Sequence, residues 1–455
     1  MRPTPTEWNQ LPAAQTVRYD DPALLRRVLS DLGERLPLVH PGEVERLKRY
    51  LAAASEGQRF VLQGGDCAEL FSECTVREIT DKLKIILQMS LLVFYGLRRP
   101  VVRIGRIAGQ YAKPRSSDTE RVGGVDLPSY RGDLVNGFAP TPEARRPDPL
   151  RLLTAYDCSS RTLNWLRALN DSGFADVRHP EMWDLSHLKG REAPGFYTDL
   201  AERVREANRF LELVGGGNQE FMSRVDLFTS HEALHLDYET ALTRSLPEAG
   251  GRPYNLGAHF LWVGERTRQP GGAHVAYLRA IANPVGVKLG PTADPGEAVE
   301  LCRLLNPENE PGRLTLITRM GVQRVREALP RLVCAVQQAG QKVTWLCDPM
   351  HGNIRQTRKG TKTRAFEDIL AELRLAEELH HGCGSRLNGV HFELTGADVT
   401  ECVGGTDGPD EDGLDRNYLT YCDPRLNYFQ SMEIACLIAD SFGRLTGRGR
   451  AGGGL

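Results

Sequence analysis

Eight short β-rich runs, separated by longer segments of helical periodicity, constrain the fold of this 455-residue chain more than any other feature. Parallel strands joined by helical crossovers produce this alternation. The predicted strands are Phe60–Gln63, Val101–Ile107, Val225–Thr229, His259–Val263, Val285–Leu289, Leu314–Thr318, Val343–Cys347 and Gly389–Glu393. Eight such units predict a (β/α)₈ (TIM) barrel, and the competing arrangement is an open doubly wound sheet. No GxGxxG motif opens a helix early in the chain, which favours the barrel.

The remaining segments predict additions to this α/β barrel. Residues 1–56 form an N-terminal extension, with helical spacing at Pro22–Leu32 and Pro41–Ala54. Residues 57–445 form the barrel itself. The connection between strands two and three is too long for one crossover, and its helical stretches at Pro149–Leu169 and Phe196–Val214 predict an inserted helical segment over about 149–223. Residues 446–455 are rich in Gly and Arg and predict a disordered tail.

The composition of the chain indicates which partners, location and cysteine chemistry to expect. The chain is 40% hydrophobic and 25% charged with a formal charge of −2, which is typical of a globular protein without a nucleic-acid partner. No apolar run reaches the length of a membrane span, and residues 1–10 lack the layout of a secretory signal. The expected location is therefore the cytoplasm. The ten cysteines form no CxxC pair, so we expect most of them to be small buried hydrophobes.

Basic residues recur where the predicted strands end or just beyond. They are Arg106, Lys113, Arg115, Arg266, Lys288 and Arg319. Active sites of such barrels lie at the carboxyl ends of the strands, where these side chains would meet. Cations gathered in one cavity repel one another unless an anion neutralises them, and guanidinium groups match phosphate and carboxylate oxygens. Each residue alone would be read as a surface charge, but the set predicts a multiply anionic small substrate.

A second group of strand-end residues could hold a metal ion. It consists of Cys67, His351, Glu393 and Asp423. A thiolate, an imidazole and two carboxylates suit a divalent transition metal such as Mn²⁺, Co²⁺, Fe²⁺ or Zn²⁺. The mixture contains too many oxygen ligands for a structural zinc site and is typical of an open catalytic site. Spacing alone cannot pair such distant ligands.

Local sequence strings add a family resemblance that covers roughly residues 60–430. The strings are QGGDCAE (63–69), RIAGQYAKPRS (106–116), SYRGD (129–133), SHEAL (230–234), GERTRQ (264–269), ANPVGVKLGP (282–291), GRLTLITRMG (312–321), CDPMHGN (347–353), VTECVGG (399–405) and CDPRLN (422–427). Together they closely resemble the type II (plant-type) 3-deoxy-D-arabino-heptulosonate 7-phosphate (DAHP) synthases. This family condenses phosphoenolpyruvate with erythrose 4-phosphate, which opens the shikimate pathway of aromatic biosynthesis.

The resemblance implies a role for each site residue. The metal ligands correspond to Cys67, His351, Glu393 and Asp423. The phosphoenolpyruvate site corresponds to Arg106, Glu265, Arg266, Lys288 and Arg319. The erythrose 4-phosphate site corresponds to Lys113, Pro114, Arg115 and Ser116, with Arg266 between the two phosphates. Arg106, Lys288 and Glu232 are the expected catalytic residues. Members of the family form dimers or tetramers, and an aromatic amino acid is a possible effector.

Alternatives remain open at this stage. Relatives that make an amino version of the product, or that serve a secondary-metabolite cluster, would carry the same motifs. A non-catalytic barrel that senses aromatic amino acids should have lost a ligand or a basic anchor, and all are present. If Asp423 and Cys67 share a metal, Cys422 must lie beside Cys67, and a disulfide between the two would remove the thiolate ligand. The alternative is that Cys67 and Cys422 are neighbouring thiols that stay reduced.

Overall fold

A closed barrel of eight parallel strands forms the centre of the molecule, a computed structural model that describes residues 4–176, 180–183, 202 and 225–445. The strands are β1 (Phe60–Gly65), β2 (Val101–Arg106), β3 (Leu227–Glu232), β4 (Phe260–Val263), β5 (Val285–Leu289), β6 (Leu314–Thr318), β7 (Thr344–Cys347) and β8 (Gly389–Glu393). Each strand pairs with its neighbours in chain order, and β8 closes on β1. The predicted (β/α)₈ barrel is thus confirmed and the open sheet is excluded.

Helices surround the barrel and fill its connections. They are α1 (Pro22–Glu34), α2 (Pro41–Ser55), α3 (Val76–Leu97), α4 (Pro142–Arg145), α5 (Leu150–Asp171), α6 (Leu236–Ala241), α7 (Ala273–Ala280), α8 (Pro295–Leu305), α9 (Val325–Gln338), α10 (Phe366–Gly382) and α11 (Tyr428–Leu445). Asp294 caps α8 by accepting a hydrogen bond from the Glu297 amide at 3.0 Å, as Pro295 at the first turn favours. Within the described residues, no helix combines the length and apolarity needed to cross a membrane.

The interior of the barrel is closed at its amino-terminal end by α2. Leu47, Leu51 and Ala54 on this helix are fully buried and join one apolar cluster with inward side chains of the strands, among them Phe260 and Ile317. The helix is fixed at its start by a capping box between His40 and Glu43. Two strand-side groups also bond to its carbonyls, the Thr344 hydroxyl to Leu51 and the Asn388 amide to Ala54. The opposite, carboxyl-terminal end holds the polar side chains.

The long connection between β2 and β3 contains α4, α5 and a hairpin of residues 119–122 with 125–128. The predicted helix Pro149–Leu169 corresponds to α5, which packs with α1 in a second apolar cluster. The predicted helix Phe196–Val214 and the predicted tail 446–455 lie outside the described residues.

Strand β3 begins and ends later than the sequence predicts. The Val225 amide bonds to the Asn170 side chain rather than to a strand, while Ser230, His231 and Glu232 pair with β4. Glu232 therefore lies on the strand itself, where the barrel holds its backbone in a defined register.

Candidate active site

One cavity of about 60 Å³ opens at the carboxyl-terminal end of the barrel, and it collects the predicted site residues. Its lining includes Cys67, Arg106, Lys113, Pro114, Glu232, Glu265, Arg266, Lys288, Arg319, His351, Glu393 and Asp423. Two predicted residues do not line it. Arg115 is paired with Glu120, and the Ser116 hydroxyl accepts a hydrogen bond at 2.8 Å from the Arg266 guanidinium, which itself lines the cavity. Strand-end position thus predicts the lining well, and loop contacts explain the two departures.

The four predicted metal ligands converge in this cavity. Ligand atoms of Cys67, Glu393 and Asp423 all lie within 4.8 Å of one another, and all three residues are buried. The Nε2 atom of His351 lies 3.0 Å from a Glu393 carboxylate oxygen. The Lys113 ammonium contacts the Cys67 sulfur at 2.6 Å and also the Asp423 carboxylate, so a positive group is already attracted to these donors. The donor set and its convergence fit a divalent transition metal.

The charges around these ligands favour ionised carboxylates. Burial alone would raise the pKa of Asp423, but Lys113 and Arg364 hold that pKa below its usual value. Burial opposes ionisation of Glu393 as well, and His351 and Arg364 nevertheless keep the pKa of its carboxyl well below the ordinary range. Both carboxylates are therefore available to a cation at neutral pH.

Asp348 orients His351, a role that was missed at the sequence level. Its Oδ2 atom lies 2.7 Å from Nδ1 of His351 and 2.8 Å from the Lys288 ammonium. Its Oδ1 atom accepts a hydrogen bond from the backbone amide of His351. A Nδ1–H that donates to Asp348 would leave the Nε2 lone pair for a metal ion, in place of the contact that Nε2 makes with Glu393 at 3.0 Å in the structure. A carboxylate behind a ligating histidine is a common feature of metal sites. The signal was present, since Asp348 precedes His351 by three residues in CDPMHGN.

We expect Asp348→Asn to weaken metal binding by about 10–100-fold, the usual cost of losing an orienting carboxylate. The asparagine side chain has no anionic oxygen, so it cannot accept hydrogen bonds from both Lys288 and the Nδ1–H of His351 as Asp348 does. Metal affinity would be measured by competition with a chelator, with circular dichroism as a check on folding. Asp133→Asn is the matched control, because Asp133 accepts bonds from Phe71, Tyr130 and Arg151 away from the cavity. Equal affinities in the two variants would contradict the assignment.

The loops after β6 and β7 touch, which brings Arg319 to His351. The backbones approach so closely at Gly321 and Gly352 that a Cβ on Gly352 would lie 2.2 Å from the Gly321 nitrogen. The Arg319 guanidinium donates to the His351 carbonyl at 3.0 Å. Its Nε is buried and has no hydrogen-bond partner in the described part of the chain. A donor left open in this way is suited to an anionic ligand.

The two acidic residues of the lining that are not predicted metal ligands have different environments. Glu265 is occupied, since it accepts from the Gly290 amide at 2.6 Å and from Arg268 at 2.9 Å. Glu232 is held through its backbone amide, which donates to the Gln110 side chain at 2.9 Å. One of its carboxylate oxygens is buried without a hydrogen-bond partner among the described residues. Glu232 is therefore free to accept a proton or a bond from a bound molecule.

Cys422 lies beside Cys67, and a side-chain hydrogen bond joins the two thiols. Both cysteines are reduced in the structure. The expected proximity is therefore present, and a regulatory disulfide stays a hypothesis.

Comparison with known proteins gives one consistent result. Residues 3–439 match the model of the class-II DAHP synthetase family. The chain is 46% identical over 453 residues to a phospho-2-dehydro-3-deoxyheptonate aldolase of Neurospora crassa, covering 96% of this chain and 94% of that protein. It is 47% identical over 435 residues to a protein of the same name from Streptomyces coelicolor, covering 96% of each. A third such relative, from Mycolicibacterium smegmatis, is 45% identical over 435 residues, covering 94% of this chain and 92% of the relative.

Proposed function

This chain belongs to the class-II DAHP synthetase family and catalyses the first step of the shikimate pathway, and on that premise we propose which of its residues bind and activate the two substrates. The substrates are phosphoenolpyruvate and D-erythrose 4-phosphate, and the products are DAHP and inorganic phosphate. The observation that carries the proposal is that four side chains able to bind a metal and several cations line one cavity at the carboxyl end of the barrel. This arrangement can bring together two phosphorylated molecules that would otherwise repel each other.

The cations divide the cavity into two anion sites. Arg106, Lys288 and Arg319 hold the carboxylate of phosphoenolpyruvate, and Arg266 with Lys288 holds its phosphate. Glu265 fixes Arg268 and the Gly290 backbone beside this site. Lys113 and Pro114, which line the cavity, form the erythrose 4-phosphate site together with the adjoining Arg115 and Ser116 outside the lining. The hydrogen bond from Arg266 to Ser116 supports this division, because it places Arg266 at the border between the two sites.

Cys67, His351, Glu393 and Asp423 would hold a divalent metal, which would supply Lewis-acid activation of the aldehyde of erythrose 4-phosphate. The family is metal-dependent, and we propose that Mn²⁺, Co²⁺, Fe²⁺ or Zn²⁺ fills this role. The fixed guanidinium and ammonium groups orient phosphoenolpyruvate so that its carbon 3 faces the aldehyde carbon. Their charges also balance those of both substrates as the new carbon–carbon bond forms.

Glu232 serves the second half of the reaction. Bond formation leaves positive charge on carbon 2 of the former enol, and water adds there. Its proton passes to Glu232, whose open oxygen suits this transfer. The resulting hemiketal then breaks its bond to the phosphate oxygen, which leaves the ketone of DAHP and releases inorganic phosphate with the second proton of the water. The first proton, held by Glu232, neutralises the alkoxide that forms from the aldehyde oxygen.

The assignment is tested with purified protein and the two substrates. We expect loss of phosphoenolpyruvate absorbance and release of phosphate in a 1:1 ratio, dependent on erythrose 4-phosphate and abolished by a chelator. An imino-sugar phosphate offered instead should be a poor substrate. Turnover of that analogue but not of erythrose 4-phosphate would favour the amino-DAHP alternative.

We expect Arg319→Ala to raise the KM for phosphoenolpyruvate by about 10–100-fold, because a hydrogen bond to a charged group contributes about 1.5–3 kcal/mol. Arg324→Ala is the matched control, since Arg324 is exposed at the start of α9 and lies outside the cavity lining. Steady-state kinetics with each substrate varied in turn would separate the two sites. An unchanged KM for phosphoenolpyruvate would remove Arg319 from this role.

A further inference from the structure

The guanidinium of Arg106 is held on several sides before any substrate binds. Its Nε donates to the Asp66 carbonyl at 2.8 Å, and its Nη2 donates to the Cys67 carbonyl at 2.9 Å and to Glu393 at 3.1 Å. Its Nη1 lies 2.7 Å from Nε2 of His391. Only part of the Nη1 group therefore remains for a ligand, and the direction in which it points depends on His391.

His391 can hold Arg106 in only one of its protonation forms. Arginine donates and never accepts, so Nε2 of His391 must present its lone pair to Arg106. The proton of the neutral ring then sits on Nδ1, which lies 2.8 Å from the carbonyl oxygen of the Gln63 side chain. The ring is fully buried, and Trp262 packs edge-to-face against it with ring centroids 5.3 Å apart. Both the tautomer and the ring plane are thus determined by the surroundings.

The hydrogen bonds continue in one direction across the barrel interior. The Gln63 amide nitrogen donates to the Ser230 hydroxyl at 3.0 Å, and that hydroxyl donates to the Gly105 carbonyl at 3.0 Å. Side chains of β1, β3 and β8 take part, and the run ends on the residue that precedes Arg106 on β2. Each member has a single consistent donor or acceptor role. A buried network satisfied in this way is rigid.

We propose that His391 is a positioning residue that aims the Arg106 guanidinium at the carboxylate of phosphoenolpyruvate, with Gln63 and Ser230 fixing the tautomer that makes this possible. The inference rests on the proposed function, because it takes Arg106 to be an anchor for that substrate. His391 itself does not line the cavity. Its effect reaches the substrate through Arg106.

Two substitutions test the contributions of the two ring nitrogens of His391 separately. In His391→Gln the side-chain oxygen can take the place of Nε2 and accept from Arg106, whereas in His391→Asn the amide can replace Nδ1 but cannot reach Arg106. We expect His391→Asn to raise the KM for phosphoenolpyruvate by at least about tenfold, since an acceptor for a charged donor is lost. The KM for erythrose 4-phosphate should not change. His391→Gln should recover the KM for phosphoenolpyruvate to within about threefold of the parent value.

His380→Asn is the matched control. His380 is also fully buried and packs against a tryptophan, Trp345, at the same 5.3 Å, but it lies on α10 away from the cavity. We expect this variant to lower the melting temperature without a change in either KM. Equal effects of His391→Asn and His391→Gln, or a parallel rise of both KM values with loss of stability, would assign His391 a merely structural role. Nitrogen-15 chemical shifts that place the proton on Nε2 would also overturn the proposal.

Arg106→Lys distinguishes failure of this inference from failure of the proposed function. If calorimetric affinity for phosphoenolpyruvate is unchanged in Arg106→Lys, Arg106 is not an anchor and the function assignment of that residue is wrong. If affinity falls in Arg106→Lys but not in His391→Asn, the anchor stands and the positioning role of His391 is refuted.

Discussion

Cys67→Ala is expected to lower turnover by at least about 10³-fold while leaving the barrel folded. The substitution removes one of the four proposed ligands, and Lewis-acid stabilisation of several kcal/mol corresponds to a rate factor of this size. Cys67 lies two residues beyond the end of β1, and Cys67→Ala removes only its sulfur atom, so the free energy of unfolding should change by no more than about 1 kcal/mol. His351→Ala should give the same loss of turnover, because its Nε2 faces the same cluster.

Cys347→Ala provides the control for Cys67→Ala. Cys347 is also buried at a strand end, on β7, but it is absent from the cavity lining. We expect near-parental turnover and near-parental metal content for this variant. The measurements are steady-state rate, bound metal after desalting, and denaturant unfolding. Turnover that persists in Cys67→Ala or His351→Ala in metal-stripped buffer would refute the ligand assignment.

Arg364→Met is expected to destabilise the protein by about 1.5–3 kcal/mol, the usual contribution of a hydrogen bond to a charged group, because Glu393 keeps Arg106 and His351 as partners. Arg364 is fully buried, donates to Glu393 at 2.7 Å and also bonds to the Pro424 carbonyl. It therefore ties the end of β8 to the loop that carries Asp423. Without it, Glu393 loses a counter-charge and the loop loses its tether, so metal affinity should fall together with stability.

The chain offers a matched surface pair for comparison. Arg355 and Glu411 form an ion pair of the same chemical type, but both side chains are about two-fifths exposed. Exposed pairs contribute about 0–1 kcal/mol, so Arg355→Met should have little effect. Denaturant unfolding of both variants gives the comparison directly. A loss below about 1 kcal/mol in Arg364→Met would mean that solvent or a rearranged side chain compensates Glu393.

Residues that follow the strands were predictable from the sequence because strand ends converge in a barrel. This reasoning found the four side chains that we propose as metal ligands and most of the cavity lining. It did not find His391, because that role depends on register: β8 and β1 pair with Gln63 opposite His391, and only closure of the first strand on the last brings them together. Local spacing contains no information about that contact.

Contacts made by loops and long side chains were also beyond sequence reasoning. The pairing of Arg115 with Glu120 depends on the hairpin that follows β2, where small differences in backbone direction decide which partner is reached. Arg364 was not singled out either, since nothing near it in the chain marks it as the counter-charge of Glu393. Family strings such as CDPMHGN mark where chemistry occurs but do not specify which neighbour supports each group.

Helix α2 closes the amino-terminal end of the barrel, and this limits where the enzyme can be truncated or its barrel grafted onto another protein. Leu47, Leu51 and Ala54 complete an apolar interior whose other members sit on the strands. A shortened chain that starts at β1 would expose these apolar core residues at the amino-terminal end of the barrel, and water would reach the core. Helix α2 therefore belongs to the folded unit that carries the active site.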